Sequence, residues 1–205
     1  MPIIETITAS FSAPGARVLL APRPTDDDAA HHAGELDAAR DAVSALGRHA
    51  IVTKLVPKTA NEPEATSGPV AVDERVELVI VSLPPQRGAD RSVDVLALAA
   101  AQALAFGGIL AVYTHSDWSG GRLTDPSGPM IAAAQNADLL YLQHIVTLQT
   151  PIRNGRVQPL TASDRTDQVL SGRNLGAPIT HARAHGDVLV FAQAHADVAQ
   201  SGDLR

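Results

Sequence analysis

Short apolar runs alternate with helix-patterned segments along this chain, and no other feature restricts its fold as tightly. The runs at 16–22 (ARVLLAP), 50–56 (AIVTKLV), 76–82 (VELVIVS) and 108–114 (GILAVYT) each predict a buried strand. Between the first two lies TDDDAAHHAGELDAARDAVSALG, in which Ala33, Leu36, Ala39, Val43 and Leu46 fall at helical spacing. Thr25 or Asp26 is placed to cap that helix, Asp27 and Asp28 suit the dipole of its first turn, and Gly47 is a natural stop. RSVDVLALAAAQALAFGG predicts a helix from about Asp90 to Phe106, ended by two glycines. PMIAAAQNA predicts a shorter helix with Pro129 in its first turn. The runs 139–150 (LLYLQHIVTLQT) and 187–192 (DVLVFA) then predict two strands with no helix between them. Residues 57–75 read as an exposed loop in which GPVAV could form a short edge strand. HSDWSGGRLTDPSG reads as a polar, glycine-rich loop, 153–185 as irregular, and the tail from His195 as frayed.

Alternation of this kind means a mostly parallel sheet with helices on both faces. The helix-free final pair is expected at the far edge, paired antiparallel. Ligands of such sheets bind beyond the carboxyl ends of the strands, near the switch point. That rule puts the tips APRPTDDD, SLPPQ and THSDW on one rim. The 205 residues predict one domain over 1–205, with an ordered core at about 16–193. Hydrophobic residues at 45% suffice for a core, and aromatics at only 3% mean that Ala, Val, Leu and Ile must build it.

Several function classes drop out on composition. There is no cysteine, hence no disulfide, thiolate zinc site or cysteine nucleophile. MPIIETITAS lacks the basic and apolar regions of a signal peptide, and VLALAAAQALAF is too short and alanine-rich to span a bilayer. The expectation is a cytoplasmic protein with no membrane partner. The net charge is −6, and Lys54 and Lys58 are the only lysines, which disfavours tight, general nucleic-acid binding. The excess of arginine over lysine, beside so much alanine, has the look of a GC-rich genome.

A core strand that ends on a double proline, as VELVIVSLPPQ does, is unusual, because proline cannot continue a ladder and restricts the residue before it. Such a corner is either a plain strand exit or an active-site corner. The element order resembles a class I methyltransferase, in which a final antiparallel strand joins a doubly wound sheet. VELVIVSLPPQ sits where the amino-methylating DNA methyltransferases carry an acidic or amide residue, two prolines and an aromatic. The stretch from FGGILAVYTHSDW through DPSG to LLYLQHIVTLQTPI is similar to the segment that follows this motif in actinobacterial DNA-methylase-like proteins. GAPITHARAHGDVLVF looks like their final strand. The resemblance runs from about residue 76 to 193 and implies a Rossmann-like class I methyltransferase fold, a mostly parallel sheet with an antiparallel edge strand.

The same resemblance exposes departures. In the family, the first motif residue accepts from the target amine and the last stacks on the flipped base. Ser82, Leu83, Pro84, Pro85 and Gln86 occupy this corner, and Leu83 and Gln86 hold those two positions. Leucine accepts no hydrogen bond, and glutamine offers no ring. The cofactor turn falls on Ala21, Pro22, Arg23 and Thr25, with no glycine and with prolines that lack N–H donors. The second strand ends TKLVPK, without the acid that binds ribose hydroxyls. The expectation is therefore a degenerate, non-catalytic methyltransferase-like protein with no cofactor, serving a protein partner or forming a homo-oligomer. The alternative is an active S-adenosylmethionine-dependent enzyme using Ser82, the Pro-Pro backbone and Gln86.

Other candidates weigh less. His115, Asp117 and Trp118 follow a buried strand onto the predicted rim, although a turn with a capping Asp explains them as well. His181 and His185 have the i, i+4 spacing of a zinc pair but run straight into a strand, so no metal is expected. Asp26–Asp28 suit a helix start, and His31-His32 a solvated helix face. Arg153, Arg156, Arg165 and Arg173 could meet phosphate, but Asp164 and Asp167 sit among them. No phosphate loop or nucleophile elbow is present.

Overall fold

The computed structural model describes residues 2–22, 29–57, 75–85, 92–119, 122–148, 152–158 and 185–194. The first elements are α1 (Pro2–Phe11), β1 (Arg17–Ala21), α2 (Ala29–Ala45), β2 (His49–Val52), β3 (Val76–Ser82) and α3 (Ser92–Ala103). Then come β4 (Leu104–Thr114), β5 (Asp117–Ser119), β6 (Arg122–Thr124), α4 (Ser127–Asn136), β7 (Leu139–Leu148), β8 (Ile152–Arg153), β9 (Arg156–Val157) and β10 (His185–Gln193). Six strands make one sheet in the order β2-β1-β3-β4-β10-β7. The first four run parallel, as the alternation predicts, and VELVIVS is interior. β10 pairs antiparallel with both β4 and β7, so the last described strand slots in beside the edge, and β7 is the edge strand among the described residues.

Strand alternation sorts the core into two layers. On one face Leu19, Val79, Val81, Leu110, Val112 and Phe191 pack under α3 and α4. On the other, Val18, Leu20, Leu78, Ile80 and Ala111 pack under α1 and α2 through Ile7, Ala39 and Val43. Alanines in α3 (Ala97, Ala100 and Ala101) let that helix lie close to the sheet, which is how a chain poor in aromatics fills its interior. α2 ends as its sequence predicts. Gly47 takes φ +74, its N–H donates to the Ser44 carbonyl, and the Arg48 N–H reaches Val43, the Schellman pattern. Arg48 then donates from Nε to Ser12 Oγ and from Nη2 to the Ser12 carbonyl, tying the end of α1 to the end of α2.

Several boundaries differ from expectation. The Ala-rich helix stops at Ala103 rather than Phe106, because Leu104 already pairs with Val76 of β3. The two glycines lie inside β4, where the register with β3 shifts. Gly107 has φ +75, and a Cβ on Gly108 would come within 2.9 Å of the Ala105 carbonyl oxygen and 3.1 Å of that of Val76. β2 is shorter than 50–56, since Val52 is already level with Leu20 and β1 has one residue left before Pro22. The loop HSDWSGGRLTDPSG contains the hairpin β5–β6. The start of the segment read as irregular is a second hairpin, β8–β9, turned by Asn154 (φ 52) and Gly155 (φ 71). The sequence reading assigned no element to residues 2–11, yet Ile3, Ile7 and Phe11 form a helical stripe there. Residues 25–28, 58–74 and 159–184 lie outside the described residues, and so do the cap, the GPVAV strand and most of the arginine-rich segment.

Gly108→Ala is expected to destabilise the protein by about 1–3 kcal/mol, because the intruding methyl meets backbone oxygens that cannot swing away. A urea denaturation midpoint reads this, and an unchanged midpoint would contradict the packing described.

Candidate functional site

The ladder brings the described parts of the three predicted tips level. Ala21 is in register with Val81, so Pro22 stands beside Ser82, while Ser82 is in register with Tyr113 and Leu83 continues beside Thr114. Pro22 is half-buried, as are His115 and Asp117 just beyond β4. Trp118 pairs with Leu123 in the β5–β6 hairpin. Arg23, Thr25 and Gln86 lie outside the described residues.

At the Pro-Pro corner the strand does not simply let go. The Leu83 N–H donates to the Tyr113 carbonyl at 2.9 Å, and the Leu83 carbonyl accepts from Thr114 Oγ1 at 2.8 Å. Thr114 is 1% exposed and Leu83 2%, so both bonds are dry. The Leu83 side chain joins the α3–α4 layer with Val81, Val112 and Met130. Pro84 is half-buried and Pro85 buried. At the position that the resemblance matches to a polar acceptor, the structure has an apolar side chain packed into the core.

Ser82 points the other way, as alternation requires. It lines a cavity of about 180 Å³ between α1, α2 and the sheet, together with Ile4, Ile7, Leu20, Glu35 and Tyr113. Most of the lining residues are aliphatic, and the polar or charged ones are Glu35, Ser82 and Tyr113. The Tyr113 ring lies against Gly186, where a Cβ would come within 2.6 Å of it. Glycine at that strand position is what gives the ring its place. The cavity is smaller than the roughly 300–1,000 Å³ of sites that enclose drug-sized ligands.

The described residues do not fit a nucleoside cofactor in the manner that the resemblance implies. β1 leaves the sheet through Ala21 and Pro22, where proline supplies no N–H. β2 ends at Val52 and is followed by Thr53 and Lys54, so no carboxylate stands there for a ribose.

One polar group was not legible as a site. Asp187 is 5% exposed, and its Oδ1 lies 2.9 Å from His144 Nε2 and 4.0 Å from His185 Nε2. It is in register with Thr114 across β4, two strands from β3, which is roughly 10 Å from the Pro-Pro corner. The period-2 pattern of HGDVLVF, which puts Asp187 on the same side as Leu189 and Phe191, was the available signal. His185 lies on β10, while His181 lies outside the described residues. Among the described residues no group of three or more His, Asp or Glu side chains could hold a metal, and no helix is long and apolar enough to cross a membrane.

No protein-family model matches the sequence, and a search of curated proteins finds no match. Solved structures with a similar chain path include several methyltransferases. The N-methyltransferase NodS from Bradyrhizobium japonicum, in complex with S-adenosyl-L-homocysteine, is 11% identical over 93% of this chain and 84% of its own, with a TM-score of 0.46. A candidate sarcosine dimethylglycine methyltransferase from Galdieria sulphuraria is 11% identical over 92% and 82%, with a TM-score of 0.49. A candidate DNA modification methylase from Thermus thermophilus is 10% identical over 94% of this chain and 52% of its own, with a TM-score of 0.35. At such identities the likeness is one of chain path, and no chemistry is drawn from it.

Thr114→Val removes the hydroxyl but keeps the shape, leaving the buried Leu83 carbonyl without its partner. A loss of about 1–3 kcal/mol in unfolding free energy is expected, with Thr114→Ser retaining most of the stability. Equal stability of the Val variant and the parent would show that the bond does not hold the corner.

Proposed function

We propose that this protein is a methyltransferase-fold protein that has lost amino-methylation and acts by binding a protein partner. The observation that carries this is Leu83. Its side chain is buried among Val81, Val112 and Met130, and its backbone is bonded to β4 on both sides. An acceptor for a substrate amine has to stand clear of the sheet, and here the side chain in that position contributes to stability instead. The cofactor turn supports the reading through Pro22 and the missing carboxylate after β2. A second reading rests on the orientation of Ser82. Ser82 lines the α1–α2 cavity with Glu35 and Tyr113, so an atypical small-molecule site there is the alternative.

Titration calorimetry with S-adenosylmethionine and S-adenosylhomocysteine is expected to give no binding at micromolar concentration. The doubly substituted Leu83→Asp, Gln86→Tyr protein is expected to stay inactive in transfer of labelled methyl groups to DNA, because the cofactor turn is unchanged. Micromolar binding, or transfer above background by either protein, would replace this reading with that of an active enzyme.

The partner is not expected to be nucleic acid. The chain carries net charge −6, and Arg153 and Arg156 are exposed on a hairpin that stands apart from the main sheet. Gel shifts at moderate salt should show no submicromolar binding to arbitrary duplex. A retarded band at that concentration would assign the arginines of 153–173 to phosphate contact.

A further inference from the structure

The outer edge of the sheet is built unlike an edge meant to face water. β7 runs for ten residues, and among the described residues no strand pairs with its outer side. Natural edges are usually kept short, or broken by proline, or guarded by charge, because unpaired N–H and C=O groups recruit other strands. β7 is neither short nor broken by proline nor guarded by charge, and its one irregularity in pairing is a bulge. In a chain of net charge −6, residues 139–152 contain no Asp, Glu, Lys or Arg, and proline first appears at Pro151. Leu140, Leu142, Val146 and Leu148 are 45–55% exposed. They lie on both faces of the strand, since Leu140 is in register with Ala192 while Val146 and Leu148 are in register with Asp187 and His185. A bulge at Val190/Phe191 leaves Leu142 as the extra residue.

We infer that β7 is a dimer interface, at which a second copy of this chain pairs antiparallel with it and extends the sheet from six strands to twelve. The occupant has to be long, uncharged and apolar on both faces. Charge and turn residues select against the two longest undescribed segments of this chain. In 159–184 the longest stretch free of Asp, Glu, Lys and Arg is 174–182, and it is interrupted by Gly176 and Pro178. Residues 57–74 contain Pro57, Pro63, Gly68 and Pro69. Proline and glycine do not support an interior ladder. β7 itself meets every requirement, and a neutral strand meets its own copy without like-charge repulsion. Antiparallel pairing about a two-fold axis is isologous, so the assembly closes at two copies and does not propagate as a filament. This deepens the partner-binding reading by naming the partner, and its test is separate: methyl transfer reports on the rim, and mass reports on β7.

The full chain at roughly 50 μM, well above a micromolar Kd, is measured by light scattering after size exclusion. Twice the chain mass is expected. Leu140→Lys with Val146→Lys places charge on both exposed faces without touching the core, and is expected to halve that mass with an unchanged far-UV spectrum. Because the chain has no cysteine, Gln143→Cys supplies a single thiol at the middle of β7. It is expected to form an intermolecular disulfide, while Asp94→Cys on α3 is not. A wild-type chain at monomer mass with Gln143→Cys unlinked overturns the proposal. In that outcome, protection of β7 amides from hydrogen exchange would assign the edge to residues 159–184 of the same chain. A larger assembly that survives both lysine substitutions would place the interface elsewhere, and also overturns it.

Discussion

Everything in this molecule is arranged around a strand that has no wet side. β3 lies between β1 and β4, its side chains alternate into both apolar layers, and of its seven residues only Glu77 is exposed. A strand in that position obliges the chain to supply cover twice. α1 and α2 close one face and α3 and α4 the other, and the crossovers that place them fix the parallel order of the first four strands. Removing either helix layer would expose the same β3 backbone, so the two halves of the core are mechanically one.

The chemistry of the rim follows from how β3 ends. Its pairing with β4 continues past Ser82 to Leu83, and Thr114 adds a side-chain bond to the same residue. Continuing a ladder keeps the side-chain alternation going, so Ser82 and Leu83 are committed to opposite faces. The leucine therefore seals the α3–α4 side, and the serine opens onto the aliphatic cavity under α1 and α2. One face of the rim is core, while the other keeps a small pocket. The proline pair serves this arrangement, since its restricted backbone leaves the sheet directly after the last ladder bond.

The other end of the sheet shows a different economy. β10 inserts beside β4 and is covered on both faces and at both edges, with its last residue, Gln193, donating to the Ala101 carbonyl at 2.8 Å. The exposure that this insertion avoids is passed to β7. That is why, among the described residues, the apolar edge at this end of the sheet belongs to β7 rather than to the last described strand.

The fold class was legible in the residues because it rests on local periodicity. Apolar runs of strand length, the helical spacing of Ala39 and Val43, and Gly47 at a left-handed stop are all written in consecutive positions. Periodicity does not say which neighbour a backbone group will find. Only the pairing of Leu104 with Val76 ends α3 three residues early, and only the end of β1 before Pro22, one residue past the level of Val52, shortens β2. The site divides in the same way. That SLPP and THSDW share a rim followed from strand order, and that Leu83 cannot accept a hydrogen bond followed from its chemistry. That Tyr113 lies on Gly186, that Glu35 reaches the cavity of Ser82, and that His144 finds Asp187 required residues 43 to 73 positions apart to be brought together. The sequence sets what each residue can do in its own turn or strand. Contacts between distant strands are set by register, which exists only once the sheet has formed.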